Sequence, residues 1–259
     1  MTPPTPQPPE HQSSTGARPV GTSNETEASA GVQHMFDAIA PRYDLLNHTL
    51  SAGIDRWWWF RTARAFRPIL QQPQAVVVDL CCGTGDMTLA LLKHRSTAPA
   101  AAPIHAIDFS HQMLARGAAK FAAHNILSIE ADALHLPIAS ASVDLVTFAF
   151  GFRNLANYED GLAEIHRILR PGGQFGILDC NQPDGLTGAL SSFYFKRLLP
   201  RRGGLLSGDR RAYDYLPASV ERFPRPPRML QLIRQAGFVN ASWTGYTFGT
   251  AGLYRATRP

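Results

Sequence analysis

Residues 76–92 read VVVDLCCGTGDMTLALL. An apolar run with no polar alternation ends in Asp79, a glycine-bearing turn follows, and a helical pattern begins at Asp86. A strand with that pattern is buried on both faces, as in a parallel sheet covered by helices. The same unit recurs downstream. IHAIDF (104–109) leads into SHQMLARGAAKFAAH, with Ser110 as the N-cap. ILSIEAD is a third strand and DLVTFAF (144–150) a fourth. YEDGLAEIHRIL is an amphipathic helix stopped by Arg170-Pro171-Gly172-Gly173, and QFGILDCN (174–181) is a fifth strand. MLQLIRQAGF (229–238) is a helix, and ASWTGYTFGTAGLYRATRP reads as a closing pair of strands. The alternation predicts an α/β fold, a mostly parallel seven-stranded sheet with helices on both faces. Ligands in such sheets bind at the carboxyl ends of the strands, beside the point where strand order reverses. Asp79 to Gly85, Asp108, Asp132 and Gly151 to Asn154 all fall there.

Three readings compete for the turn DLCCGTGD. It is a plain strand–helix turn whose glycines only permit the backbone, a dinucleotide turn, or a turn for S-adenosylmethionine. The dinucleotide form G-x-G-x-x-G puts Thr88 where the third glycine belongs and Asp86 in the first helical turn, facing the pyrophosphate. That argues against NAD or FAD. S-adenosylmethionine has no phosphate and is cationic, so acidic neighbours help. Asp79-Leu80-Cys81-Cys82-Gly83-Thr84-Gly85 fits acidic-x-G-x-G-x-G with Cys81 in place of the first glycine. Asp108 is placed to accept the ribose hydroxyl hydrogens, and Asp132 with the Ala133 backbone to read the adenine edge.

The three cysteines, Cys81, Cys82 and Cys180, form no disulfide framework in a chain of this size without an export signal. Zinc-type spacing is missing, so no metal is expected. Both cysteines of the turn read as packing. No apolar run approaches the ~20 residues of a membrane span. The expectation is a cytoplasmic protein. Residues 1–30, rich in Pro, Ser, Thr and Glu, read as a disordered tail.

The formal net charge is +5; the first thirty residues carry Glu10, Glu25 and Glu27 against Arg18, so the rest is more basic still. Between Lys196 and Arg228 nine basic residues face three acidic ones, mixed with Leu, Phe and Tyr. That mixture suits an anionic membrane surface better than nucleic acid, for which no RNA-binding module is present.

Beyond the turn, three segments are more specific: MFDAIAPRYDLLNHTLSAGIDRWW (35–58), AFGFRNLANYEDGLAEIHRILRPGG (149–173) and GTAGLYRA near the end. Together they resemble the quinone C-methyltransferases, over about Gln33 to Arg258. The first is similar to Y-D-x-M-N-x-x-L-S-x-x-x-H-x-x-W, with Tyr43, Asp44, Asn47, Leu50, Ser51 and Trp58 in place, Leu46 for Met and Asp55 for His. The second is similar to R-V-L-K-P-G-G followed by a strand ending E-x-S, which here ends Asp179-Cys180-Asn181. Ala149 stands where the family often has serine.

The resemblance implies a Rossmann-like class I S-adenosylmethionine-dependent methyltransferase domain over 31–259. A helical lid would occupy 31–70 and a substrate- and membrane-facing insertion 186–228. It implies methyl transfer to the ring carbon of demethylmenaquinol. The alternatives are a ubiquinone-precursor benzoquinol or another small acceptor. Cofactor-binding residues would be Asp79, Gly83, Thr84, Gly85, Asp108, Asp132 and Ala133. On the acceptor side Arg153 would stabilise the phenolate, Asn154 would orient it and Tyr43 from the lid would complete the network. The proton would pass to Asp179 or a bound water. Trp57, Trp58, Trp59 and Phe60 would line a tail channel or the membrane interface. The enzyme would sit peripherally at the inner face of the cell membrane; a homodimer is left open. A catalytically silent scaffold and an RNA methyltransferase are the rival classes.

Overall fold

The computed structural model describes residues 15–42, 51, 53–183 and 210–259. Its seven strands form one sheet in the order β3-β2-β1-β4-β5-β7-β6. They are β1 Val77–Leu80, β2 Ile104–Asp108, β3 Ile126–Glu130, β4 Val143–Ala149, β5 Leu169–Cys180, β6 Val239–Tyr246 and β7 Ala251–Thr257. β1 pairs in parallel with both β2 and β4, so strand order reverses between β1 and β4. β7 is antiparallel to β5 and to β6, the reversed strand of the sheet.

The described helices are α1 Glu25–Ile39, α2 Asp55–Ala65, α3 Arg67–Leu70, α4 Asp86–Leu92, α5 His111–Phe121, α6 Tyr158–Ile168, α7 Arg210–Arg222 and α8 Pro226–Gln235. Local chemistry sets their starts. Asn24 accepts the Glu27 N–H, Ser110 the Met113 N–H and Asn157 the Asp160 N–H, each satisfying an otherwise unpaired helical donor. α6 opens on Glu159 and Asp160 and closes on His166 and Arg167, as its dipole favours.

β1 is buried along its whole length, and its side chains alternate between two cores. Val78 and Leu80 join Phe148, Leu162, Ile165, Phe175 and Ile233 on the face covered by α6 and α8. Val77 joins Trp58, Trp59, Met87, Leu91 and Leu253 on the face covered by α2 and α4.

Two expectations change. The strand expected at 174–181 begins pairing earlier, at Leu169 opposite Val143, with an irregularity before Gln174 meets Leu145. Arg170-Pro171-Gly172-Gly173 is therefore a bulge within β5, helped by the positive φ of 81° at Gly172. The tail expected over 1–30 is structured from Thr15. The Ala17 N–H donates to Leu155 O at 2.8 Å, the Tyr158 N–H to Thr15 O at 2.8 Å, and α1 starts at Glu25. Its backbone groups find hydrogen-bond partners on a remote loop, which composition does not show. Of the expected lid, 43–50 and 52 lie outside the described residues, as do 186–209 of the expected insertion.

Candidate functional site

At the carboxyl ends of β1, β2 and β4 lies a hollow of about 690 Å³, part of it open to solvent. Its walls include Gly83, Asp108, Asp132, Ala133, Gly151 and Asn154. A second hollow of about 360 Å³ is lined by Asp79, Thr84, Asp86, Met87 and Trp59. Cys81, Ala149 and Phe150 line both, so an elongated ligand can bridge the two over the Cys81 turn.

The turn is bent by left-handed backbone at Cys81 (φ 53°), Gly83 (φ 56°) and Gly85 (φ 91°). Cys81 thus holds a conformation that glycine adopts freely and other residues rarely do. Its side chain fills space left by Gly151: a Cβ added there would come within 2.3 Å of the Cys81 Cβ. Burial pushes the thiols of Cys81 and Cys82 well above their ordinary range. They are neutral packing groups rather than thiolate nucleophiles.

Three carboxylates mark out the two hollows. Asp79, at the end of β1, accepts hydrogen bonds from Thr88 Oγ1 and Thr147 Oγ1, both at 2.6 Å. Burial pushes its pKa up to about 6, against the two hydroxyl donors that favour the charge. Asp108, at the end of β2, accepts the Gly83 N–H at 2.8 Å and the Ser110 N–H at 2.9 Å. Burial, the larger effect, also pushes it up to about 6, with Asp37 adding to it. Each Asp108 oxygen takes one backbone N–H and keeps acceptor capacity for a ligand hydroxyl. Asp132 accepts the Leu134 N–H at 2.9 Å beside the buried Ala133. Thr84, buried in the turn, accepts from Lys120 Nζ at 3.2 Å, and the same ammonium meets Asp86 at 3.0 Å. An acidic cavity with its lysine already on a carboxylate repels a pyrophosphate. It suits a cationic donor with ribose hydroxyls, and these residues fit S-adenosylmethionine.

The acceptor side is built on Phe150, which follows β4 with a φ of 61°. Its reversed carbonyl accepts from Arg153 Nη1 and from Asn154 Nδ2, the latter at 3.3 Å. Strained backbone of this kind costs about 1–3 kcal/mol and persists only where surrounding bonds enforce it. Asn154 reaches the cavity wall. Arg153 does not line that wall: it is buried, with Nη1 2.8 Å from Asp179 Oδ1 and its backbone N–H 3.1 Å from Oδ2. Expected to stabilise a phenolate, Arg153 has its guanidinium on the fully buried Asp179, which needs a cation there. Asp179 also accepts the Cys180 N–H at 2.8 Å, so this carboxylate, one of the two proton acceptors considered, is ion-paired and takes three hydrogen bonds from the protein. Tyr43 lies outside the described residues. Of the aromatic run, Trp58 and Trp59 are core, and Trp58 packs on Phe150 at 5.8 Å between ring centroids; Trp57 and Phe60 are exposed.

Sequence reasoning missed α1 as a cavity wall. Ser29 and Phe36 line the larger hollow, Gln33 Nε2 donates to Phe109 O at 2.7 Å, and Ser110 Oγ donates to Asp37. Gln33 and Asp37 are four residues apart, hence on one helical face, and that spacing was the available signal. Lys120 and Tyr215 carry no comparable local signal.

The model of the ubiE/COQ5 methyltransferase family matches residues 22–258. A demethylmenaquinone methyltransferase of Deinococcus radiodurans is 45% identical over 240 residues, covering 91% of this chain and 95% of that protein. One from Thermus thermophilus is 44% identical over 228 residues, covering 87% and 100%. In fold, the chain is similar to an S-adenosylmethionine-dependent methyltransferase structure from Thermotoga maritima, a possible histamine N-methyltransferase by its description. The TM-score is 0.61 at 15% identity, over 88% of this chain and all of the other.

Proposed function

The chain belongs to the ubiE/COQ5 methyltransferase family, and from that premise we propose that it methylates the ring carbon of demethylmenaquinol to give menaquinol. Near-full-length similarity to relatives bearing the demethylmenaquinone methyltransferase name carries this reading of the acceptor. When bound, S-adenosylmethionine supplies a methyl group on a cationic sulfur, which keeps the bonding electron pair as the ring carbon takes the methyl and one proton is released.

The chain's own residues do the rest. Asp108 holds the ribose hydroxyls, Asp132 and the Ala133 N–H take the adenine edge, and Asp79, Gly83, Thr84 and Gly85 enclose the methionine end. Asn154, on the cavity wall, donates to the quinol oxygen whose charge develops as the carbon becomes nucleophilic. Arg153 adds positive potential from behind and fixes the Phe150 carbonyl. The engaged Asp179 leaves a bound water as the route for the proton. Trp58 over Phe150 keeps water from the reacting carbon.

The acceptor carries an isoprenoid tail, so the protein has to reach a bilayer; among the described residues no helix is long and apolar enough to cross one. A groove beside the end of β5 is lined by Arg225, Arg228, Arg234, Trp243 and Phe248, with no acidic residue on its walls among the described residues. Phe248 is 85% exposed on left-handed backbone (φ 56°). Basic residues near an anionic surface contribute roughly 1 kcal/mol each. This groove seats the active-site end peripherally on the inner face of the cell membrane. Vesicle co-sedimentation tests it: binding should rise with anionic lipid and fall for Phe248→Ser and for Arg228→Gln with Arg234→Gln. Binding indifferent to lipid charge would remove the groove from the account.

The reaction itself is tested anaerobically, with S-adenosylmethionine and short-tailed demethylmenaquinol or the corresponding benzoquinol. Mass spectrometry should show the gain of one CH₂ on the naphthoquinol. A gain confined to the benzoquinol would move the protein to the ubiquinone branch.

A further inference from the structure

Asn154 is held from two sides. Its Nδ2 donates to Phe150 O at 3.3 Å, and its Oδ1 accepts from the Tyr215 hydroxyl at 3.1 Å. Tyr215 comes from α7, sixty-one residues further along the chain, and belongs to neither the cofactor turn nor the acceptor motif. The bond to the Phe150 carbonyl sets which way the amide faces, and the bond from Tyr215 holds the side chain there. Turned over, Asn154 would set its oxygen against the Phe150 carbonyl, acceptor against acceptor, while the Tyr215 hydroxyl would tolerate either face. In the observed orientation one amide N–H is spent on Phe150 and the other remains for a ligand at the cavity wall, which Asn154 lines.

We propose that Tyr215 is a positioning residue for the acceptor. Its hydroxyl holds the Asn154 side chain in place at the cavity wall, where the Phe150 carbonyl sets the amide with N–H, and not oxygen, toward the developing phenolate. The acceptor's identity in this statement rests on the methyl-transfer reading above; the pinning of the amide does not. The bond also ties α7 to the active site. Removing the hydroxyl leaves the amide held by the 3.3 Å bond to Phe150 alone, so the side chain moves more and presents its N–H at the wall less of the time. The loss falls on turnover and leaves the adenosine-binding carboxylates untouched.

The test has two arms on the full chain. In the first, protein labelled with ¹⁵N-asparagine gives side-chain amide signals, with that of Asn154 identified by its disappearance in Asn154→Ala. Tyr215→Phe should shift or broaden this pair; an unmoved pair would overturn the proposal. In the second, Tyr215→Phe should lower kcat on the quinol about tenfold, with S-adenosylmethionine affinity by calorimetry unchanged. Placed on Asn154→Ala, it should cost nothing more. Equal losses in the two backgrounds would show that Tyr215 acts independently of Asn154 and would also overturn the proposal. If wild-type protein methylates neither quinol, the functional reading fails, and the labelled amide still decides what Tyr215 holds.

Discussion

Substituting Gly151 by alanine isolates one contact. Gly151 has an ordinary backbone, φ −105° and ψ −32°, so alanine meets no conformational penalty there. What it meets is Cys81: the new Cβ would lie 2.3 Å from the Cys81 Cβ and 3.2 Å from its Sγ. The first distance is far inside contact, and the atom to be moved is a Cβ fixed to the cofactor turn, not the end of a flexible chain. Overpacking of this kind costs about 1–3 kcal/mol, and here the upper half applies, about 2–3 kcal/mol. Cys81→Gly alone has offsetting terms. Relief of left-handed backbone gains about 1–2 kcal/mol, while glycine's unfolded-state entropy and the lost burial of the thiol cost a similar sum, leaving a change within about 1 kcal/mol. The double variant should therefore recover most of what Gly151→Ala loses, a coupling of about 2 kcal/mol. Cys81→Ala keeps its Cβ and should not rescue. Urea denaturation of the four proteins gives the cycle, and S-adenosylmethionine affinity should follow the same order because the turn forms the binding wall. Additivity of the two substitutions within about 0.5 kcal/mol would refute the contact.

Two further outcomes follow from the site's charges. Asp79 and Asp108 both titrate near pH 6 in the folded protein, raised by burial from about 3.8. Their neutral forms favour the folded state, so stability from them is full below the unfolded value and is lost as pH rises to about 6. Affinity for a cationic ribosyl ligand runs the other way and should weaken as pH falls through about 6; calorimetry showing a flat affinity from pH 7.5 to 5 would contradict it. Arg153→Ala leaves Asp179 buried without its ion-pair partner, which should destabilise the fold by about 3–5 kcal/mol. Where folded, the variant should lose turnover far more than cofactor affinity, and a loss confined to affinity would show the acceptor-side role to be wrong. Arg153→Lys should recover part of the stability but not the bond to the Phe150 carbonyl.

The strand–helix alternation, the turn and the carboxylates at strand ends were all legible in the sequence. Each is written within a few consecutive residues: an unbroken apolar run, a capping serine, an aspartate where that run stops. Even the departures at Cys81 and Ala149 could be seen. The meaning of Cys81 could not, because the space it fills is left by Gly151 on another strand's loop. The same limit explains the rest. Arg153 looked like a free cation because Asp179, its partner, sits on β5; Lys120 reaches Thr84 and Asp86 from α5; Tyr215 reaches Asn154 from α7. Residues 15–18 looked like tail because the loop 155–158 that pairs with them is distant in sequence. Local patterns determined which elements form and where polar groups gather. Which side chains then meet was decided by strand order and helix packing, since pairings across the fold depend on several elements at once and leave no periodic trace in any one of them.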